Sequence, residues 1–217
     1  MLDLFADEAP WQETLADGAF ILRRFACHDA GQLLEGITAV AQQAPFRQLV
    51  TPGGHTMSVS MTNCGSLGWR TDSRGDYCYS PYDGLSGKPW PDMPDNFMHF
   101  ASRAAAECGY PDFLPDACLI NRYPVAAKLS LHQDKDEADL RQPIVSVSLG
   151  LAAIFQFGGL QRHSPVKRVM LEHGDVVVWG GASRLCFHGI LPLKADYHPA
   201  TGPFRFNITF RHASKSE

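Results

Sequence analysis

The C-terminal half of the chain is dominated by short segments in which apolar and polar residues alternate. Ile144–Leu149, Ile154–Phe157 and Arg205–Arg211 follow a period of two, and Asp175–Trp179 is a short, mostly apolar run. Side chains of a β-strand point alternately to opposite faces, so this period predicts strands. Gly and Pro recur between the segments, which is typical of turns. These features predict β-sheets after about residue 115.

Two segments in the N-terminal half have the period of an amphipathic helix, Asp29–Gln43 and Asp95–Cys108. Asp29 followed three residues later by Gln32 resembles a capping box, and Gly109 predicts the end of the second helix. Residues 51–92 are rich in Gly, Ser, Pro and aromatic residues and predict hairpins or loops. Helices followed by strands, without a regular βαβ repeat, predict an α+β fold with N-terminal helices packed outside a two-sheet barrel.

Composition and charge restrict the possible functions. The 217 residues are enough for a core of ordinary size, in one domain or at most two, and thirteen Phe, four Trp and six Tyr argue against disorder. The formal net charge of −4 excludes a generally basic nucleic-acid coat, so any nucleic-acid contact must be local. No run approaches the ~20 apolar residues of a membrane helix, and we expect no membrane partner.

The cysteines and the N-terminus indicate a compartment. Met1–Glu8 is acidic and lacks the basic start of an export signal. The six cysteines include no Cys-x-x-Cys pair, so a cysteine zinc site is poorly supported. We therefore expect reduced thiols and a cytoplasmic protein.

The first chemical signal is the sequence His132-Gln133-Asp134. On an extended segment, residues two apart face the same way, so an imidazole and a carboxylate would point to one place. His188 follows a Val-rich predicted strand and is the best third ligand. Two His and one carboxylate on one face favour non-haem Fe(II), with positions left for a co-substrate and O2. A His-x-Asp sequence also occurs in surface turns, which the spacing alone leaves open.

The segment Arg205–Arg211 carries a second signal. Its odd-numbered positions are polar and share one face, whereas the positions between them are apolar. Arg205 and Arg211 on one face of a buried strand need an anion to offset their desolvation. Arginine pairs with carboxylates through two parallel hydrogen bonds, and 2-oxoglutarate beside Fe(II) would satisfy both residues. The alternative is a solvated outer face on an edge strand, where charges are common.

The combined pattern of His132-x-Asp134, His188 and Arg205-x-Asn207-x-x-x-Arg211 resembles the AlkB family of Fe(II)/2-oxoglutarate dioxygenases. The likeness covers nearly the whole chain. Further similar stretches are Thr51–Gly54, Met57–Val59, Pro115–Tyr123, Leu129–Asp136 and Ile144–Gly159.

The resemblance implies a double-stranded β-helix (jelly-roll) core at about 115–213, N-terminal helices outside it, and a nucleotide-recognition lid at about 51–92. His132, Asp134 and His188 would bind Fe(II). Arg205 would pair with the distal carboxylate of 2-oxoglutarate, and Arg211 with the carboxylate near the metal. Further hydrogen bonds would come from Asn121, Tyr123 and Asn207. For Asn121 and Tyr123, the alternative is a buried amide and phenol satisfied by the backbone.

The activity implied is oxidative demethylation of alkylated bases such as 1-methyladenine and 3-methylcytosine, which releases formaldehyde, succinate and CO2. Trp69 would stack on a flipped base, with His132 on its other face, and Asp136 would favour a cationic base. The alternatives are a core tryptophan at position 69 and a solvated charge at position 136. Further substrate contacts would come from Tyr77, Arg162, Thr51, His55, Met57, Ser58 and Met61, with local positive charge from Lys128 and Lys135.

The expected partner is alkylated single-stranded DNA bound by a monomer, with duplex DNA and RNA left open. Residues 70–78 depart most from the family pattern, and His55 stands where an aromatic residue is more familiar, so the substrate range is open. The alternative enzyme is a 2-oxoglutarate-dependent hydroxylase of a small molecule or a protein side chain. A metal-binding barrel without catalysis is the third hypothesis.

Overall fold

The computed structural model describes residues 9–51, 53–72 and 76–215. Two helices, α1 (Ala30–Gln43) and α2 (Asp95–Glu107), accompany three antiparallel sheets within these residues. The strands are β1 Trp11–Ala16, β2 Ala19–Arg23, β3 Arg47–Val50, β4 Thr56–Gly65, β5 Gly68–Thr71, β6 Tyr77–Ser80, β7 Ala117–Tyr123, β8 Leu129–His132, β9 Ile144–Gly150, β10 Ala153–Phe157, β11 Lys167–Leu171, β12 Val176–Trp179, β13 His188–Ile190 and β14 Arg205–Arg211.

The largest sheet has eight strands in the order β1-β2-β12-β9-β14-β7-β4-β3. Strand β14 lies in its interior, where Arg205 is opposite Tyr123 of β7 and Gly150 of β9. The interpretation of this strand as a solvated edge is therefore wrong. The second sheet has four strands in the order β11-β10-β13-β8, and its register places His188 opposite His132.

The eight-stranded sheet is covered on both faces. One hydrophobic cluster joins it to the two helices through residues such as Ile37, Phe97 and Phe210. A second cluster joins it to the four-stranded sheet through residues such as Ile144 and Phe155. The α+β fold, with helices outside a jelly-roll core of two facing sheets, is thereby confirmed. In β14, the alternation predicted from the sequence directs Phe210 into the helix-facing core.

The N-terminal part of the fold differs from the prediction in two respects. Strands β1 and β2 precede α1 and form a hairpin that pairs with β12, so the order is not helices first. Asp29 makes no side-chain cap on α1, because its carboxylate accepts a hydrogen bond from Arg103 of α2 at 2.6 Å. Gly109 does follow α2 with φ +84°, a conformation that glycine adopts at little cost.

Among the described residues, β3 pairs with β4 and β5 pairs with β6 as two antiparallel hairpins, in agreement with the hairpins predicted for this Gly-rich and aromatic region. Pro52 and Ser73–Gly75 of the predicted lid, and the acidic start Met1–Glu8, lie outside the described residues. The six cysteines are unbridged. Within the described ranges, no helix has the length and apolarity needed to cross a membrane.

Candidate active site

A cavity of about 690 Å³ opens between the two large sheets. Its walls come from β4, β7, β9 and β14 on one side and from β8, β10 and β13 on the other. Every residue that the sequence assigned to metal, co-substrate or substrate lines this cavity. These residues are far apart in the sequence. They meet in the cavity because β7 and β14 are neighbours in the large sheet, and β8 and β13 are neighbours in the four-stranded sheet that faces it.

Three potential metal ligands lie at one wall of the cavity. The ligand atoms of His132, Asp134 and His188 are all within 4.8 Å of one another. The Nε2 atoms of His132 and His188 lie 3.6 and 3.7 Å from the Asp134 carboxylate. The Nδ1 atoms of the two rings lie 2.8 and 3.0 Å from the carbonyl oxygens of Ser130 and Cys186. Donation from Nδ1 to these carbonyls leaves the Nε2 lone pairs to bind a metal.

Burial and charge set the protonation of these groups. Burial raises the pKa of Asp134, but Arg211 and the two histidines outweigh it and hold that pKa well below its usual range. Burial, together with His132, lowers the pKa of His188 to about 4. An ionised carboxylate and a neutral imidazole at neutral pH are the forms that bind metals.

Arg211 anchors the carboxylate of Asp134. Its Nε and Nη2 atoms donate to Asp134 Oδ2 at 3.0 and 2.6 Å. Its Nε also lies 3.3 Å from Glu137 Oε1. Since both bonds to Asp134 are made to Oδ2, the other oxygen, Oδ1, stays on the side of His132.

Arg205 is a buried cation, and some of its hydrogen-bond donors have no partner. Its side chain is 1% exposed, and its Nε and Nη1 atoms have no hydrogen-bond partner. Its Nη2 donates to Ser148 Oγ at 2.9 Å, and its guanidinium lies 4.9 Å from the ring centre of Tyr123. Burial lowers the pKa of Arg205 because charge is costly away from water. An anion with two acceptor oxygens would offset this cost.

Polar side chains of three neighbouring strands connect the two arginines. Asn207 Nδ2 donates to Ser146 Oγ at 2.8 Å, and its Oδ1 accepts from Thr209 and Asn121 at 2.9 and 3.3 Å. Asn121 Oδ1 is buried without a partner. The interpretation in which the backbone satisfies the Asn121 amide is wrong, since Asn121 bonds to the Asn207 side chain. The ring of Tyr123 packs on Arg205.

An aromatic group lies at the mouth of the cavity. Trp69 and Tyr77 stack with ring centres 4.5 Å apart and planes 25° apart. Trp69 Nε1 donates to Asp136 Oδ2 at 2.9 Å. Trp69 is partly exposed and packs against the second hydrophobic cluster, so it is not a fully buried core tryptophan. Asp136 is exposed, as the alternative of a solvated charge requires, and it also accepts the hydrogen bond from Trp69. The Asn63 side chain holds the Trp69 backbone through two hydrogen bonds of 3.0 Å: its Nδ2 donates to the Trp69 carbonyl, and its Oδ1 accepts from the Trp69 N–H.

The remaining predicted substrate residues surround this mouth. Met61 lies opposite Asn121 in the β4–β7 register, and Thr51 Oγ1 accepts from the His55 backbone at 3.2 Å. Arg162 is exposed, yet its Nη1 donates to the Leu131 carbonyl at 2.8 Å. Met57, Ser58, Lys128 and Lys135 also line the cavity.

The comparisons with known proteins agree with this geometry. The family model described as the 2OG-Fe(II) oxygenase superfamily matches residues 18–211. The chain belongs to this superfamily. It is 68% identical to the "Alpha-ketoglutarate-dependent dioxygenase AlkB" of Escherichia coli (strain K12) over 217 residues, all of both chains. It is 35% identical to the human "Nucleic acid dioxygenase ALKBH1" over 98 residues, 45% of this chain and 25% of that one. A solved structure titled "The structure of OsALKBH1" matches with a TM-score of 0.81 at 29% identity, over 93% of this chain and all of that chain.

As a 2OG-Fe(II) oxygenase, the chain is an enzyme that uses Fe(II) and 2-oxoglutarate, and its cavity fits both. Two imidazoles and one carboxylate are the donor set that suits non-haem Fe(II). The partnerless donors of Arg205 suit one end of a dicarboxylate, and Arg211 lies beside Asp134. The relatives act on nucleic acid where their names state a substrate.

The oxygenase cavity also contains residues that sequence reasoning missed. Glu137, to which the sequence analysis assigned no role, is 6% exposed. Its carboxylate accepts from Tyr79 Oη at 2.7 Å and from Arg184 Nη2 at 3.0 Å. No local pattern marks these partners. Ser146 and Ser148 did have a signal, because they are the polar positions of an alternating segment.

Proposed function

We propose that this enzyme removes alkyl groups oxidatively from damaged bases of DNA, such as 1-methyladenine and 3-methylcytosine, and so repairs them directly. The observation that carries the proposal is one cavity that holds the His132–Asp134–His188 cluster, two buried arginines and an aromatic mouth. Identity of 68% to the AlkB enzyme over the whole chain supports it.

In this proposal, His132, Asp134 and His188 hold Fe(II) at the inner wall. Arg205 receives the distal carboxylate of 2-oxoglutarate, and Arg211 receives the carboxylate near the metal. Asn121, Tyr123 and Asn207 supply hydrogen bonds to the same co-substrate. When bound, Fe(II) with 2-oxoglutarate and O2 supplies the oxidising chemistry, which yields succinate and CO2 and releases an N-methyl group as formaldehyde. The protein contributes placement and exclusion of water.

The damaged base is held at the mouth. Tyr77 covers one face of Trp69, and the base stacks in the space between Trp69 and His132. Stacking on an aromatic side chain contributes about 1–3 kcal/mol per base. Asp136 supplies a negative charge, which favours a base made cationic by methylation over a neutral one.

The polynucleotide lies over the lid. Tyr77 and Arg162 contact phosphates or the base edge, and Thr51, His55 and Met61 line the path of the strand. Lys128, Lys135 and Arg162 give local positive charge in a chain of net charge −4. A base inside a duplex cannot reach the metal, and unpairing costs a few kcal/mol, so single-stranded DNA is the preferred substrate. RNA presents the same bases and is a second substrate.

The proposal extends to the organisation of the protein. We infer one oxygenase domain over 1–217, with the nucleotide lid at about 51–92 and the catalytic core at about 115–213. The enzyme acts as a monomer in the cytoplasm, since one chain supplies all residues of the cavity and the six thiols are unbridged.

The test is mass spectrometry of a short single-stranded oligonucleotide that carries 3-methylcytosine. It is incubated with the protein, Fe(II), 2-oxoglutarate, ascorbate and air. We expect the mass to fall by one methylene with wild-type protein and to stay unchanged with His132→Ala. His163→Ala is the matched control, because His163 is exposed and outside the cavity; it should act like wild type.

Two results would contradict the proposal. An unchanged oligonucleotide with consumption of 2-oxoglutarate would favour a hydroxylase of a small molecule or a protein side chain. An unchanged oligonucleotide with intact 2-oxoglutarate, under conditions in which the protein binds both metal and co-substrate, would point to a barrel without catalysis.

A further inference from the structure

The three proposed metal ligands come from two separate parts of the chain. His132 ends β8 and His188 begins β13, and the ladder between these strands places the two histidines opposite each other. Asp134 lies two residues beyond the end of β8, so no strand pairing holds it. The segment from Asp134 to Glu137 is irregular, although it supplies a ligand and two cavity carboxylates. Something other than the sheet must fix its position.

Arg184 makes the required contacts. It follows the 3₁₀ turn Gly181–Ser183, lies four residues before His188, and is 3% exposed. Its Nη1 donates to the Asp134 backbone carbonyl at 2.6 Å, and its Nη2 donates to Glu137 Oε2 at 3.0 Å. Its Nε donates to the Gln142 carbonyl at 2.8 Å. One guanidinium thus binds the irregular segment at two points, Asp134 and Glu137, and binds the chain beyond it at Gln142.

The contact is reciprocal. Gln133, between the two ligands of the first segment, donates from Nε2 to the Leu185 carbonyl at 2.6 Å. Arg184 and Leu185 therefore face Asp134 and Gln133 across two short hydrogen bonds. Because the guanidinium is planar and rigid, its bonds fix direction as well as distance.

Glu137 extends this arrangement to the co-substrate side. One oxygen of its carboxylate accepts from Arg184, and the other lies 2.7 Å from Tyr79 Oη and 3.3 Å from Arg211 Nε. If Arg184 were absent, Glu137 would be a buried carboxylate with Arg211 as its remaining cation. Arg211 would then be drawn away from Asp134, since a buried charge attracts the nearest opposite charge strongly.

We propose that Arg184 is a positioning residue that fixes Asp134 against His188 and keeps Arg211 on Asp134. It touches neither metal nor substrate and acts through the ligand segment. The inference rests on the proposed function, because it takes Asp134 and His188 as the metal ligands. Residues that orient metal ligands in this way typically change metal affinity by 10–100-fold when they are replaced.

The test measures Mn(II) affinity by titration calorimetry, without O2 or turnover. Arg184→Met is expected to raise the Kd for Mn(II) by 10–100-fold. Arg184→Lys keeps the charge beside Glu137, but its donors lie on one nitrogen and cannot reach three acceptors that bind three different nitrogens of Arg184. This variant should give an intermediate loss. Arg23→Met is the matched control. Arg23 is also largely buried and also donates to a carbonyl and two carboxylates, and none of these residues, Met170, Glu13 and Asp175, lines the cavity.

The control separates positioning from general destabilisation. We expect Arg23→Met to lower the unfolding temperature and to leave the Kd for Mn(II) within twofold of wild type. The proposal is overturned if Arg184→Met and Arg184→Lys both bind Mn(II) like wild type, or if Arg23→Met weakens Mn(II) binding as much as they do. Should Arg184→Met fail to fold, Arg184→Lys alone decides. Wild-type protein that binds Mn(II) but leaves methylated oligonucleotides unchanged would defeat the proposed function and leave this test intact.

Discussion

Replacement of Arg205 by Met tests the co-substrate site most directly. Arg205 is 1% exposed, and the described residues provide no carboxylate that pairs with it. Its contacts are a 2.9 Å hydrogen bond to Ser148 and the ring of Tyr123 at 4.9 Å. The guanidinium therefore lies desolvated and only partly compensated, with Nε and Nη1 available for an anion.

The magnitude follows from those two donors. A hydrogen bond to a charged partner contributes about 1.5–3 kcal/mol, so two of them contribute about 3–6 kcal/mol to binding of 2-oxoglutarate. At about 1.4 kcal/mol per factor of ten, Arg205→Met should raise the Kd for 2-oxoglutarate by roughly 10²–10⁴-fold. The unliganded variant should be at least as stable as wild type, because Met removes a buried cation that lacks an anion.

The assay is thermal unfolding with and without Mn(II) and 2-oxoglutarate. Saturation at 100 times Kd stabilises wild type by about 2.7 kcal/mol, and the variant should show no such shift at the same concentration. Arg141→Met is the control: Arg141 is exposed, and among the described residues its ion pair is with Asp139. A variant that binds 2-oxoglutarate like wild type, or loses more than about 3 kcal/mol without ligand, would refute the reasoning.

Three further predictions concern the mouth, the surface and acid stability. Trp69→Ala should raise KM for a methylated oligonucleotide by about 5–150-fold, the equivalent of 1–3 kcal/mol of stacking, with the 2-oxoglutarate Kd unchanged; equal loss of both affinities would contradict it. Arg162→Gln should make the slope of log KM for the oligonucleotide against log salt concentration shallower by the amount expected for about one phosphate contact. An unchanged slope would contradict this prediction. Arg47 binds both oxygens of Asp83 at 2.7 and 2.6 Å and lowers the pKa of that carboxyl. On acidification, Asp83 therefore takes up a proton at higher pH in the unfolded chain than in the folded protein. Asp83→Asn should lower the free energy of unfolding, measured in urea, by about 1–3 kcal/mol at pH 7, and this difference should shrink progressively below about pH 4. A difference that does not depend on pH would exclude this ion pair as the cause.

Much of the active site can be predicted from short stretches of sequence. The alternation from Arg205 to Arg211 predicts both the strand and the face that its arginines share, since side-chain direction in a strand is a local property. For His132 and Asp134 the extended spacing predicts neighbouring side chains, although only His132 lies on a strand, β8. Ligand chemistry is local too: two imidazoles and a carboxylate favour Fe(II) before any coordinate is known. The roles proposed for Trp69 and Asp136 come from the family resemblance and stay predictions.

Other features depend on which strands become neighbours. The β1–β2 hairpin joins the large sheet only because β12 offers it a partner, and nothing within residues 11–23 specifies that neighbour. In the sequence, nothing distinguishes Glu137 from the charged residues that precede it. In the structure it is buried between Tyr79, Arg184 and Arg211. The sequence alone therefore determined the chemistry of the metal and co-substrate groups, because periodicity and residue type are local. Only the tertiary structure decided which partners hold those groups, because hydrogen bonds between distant segments depend on how the whole chain packs.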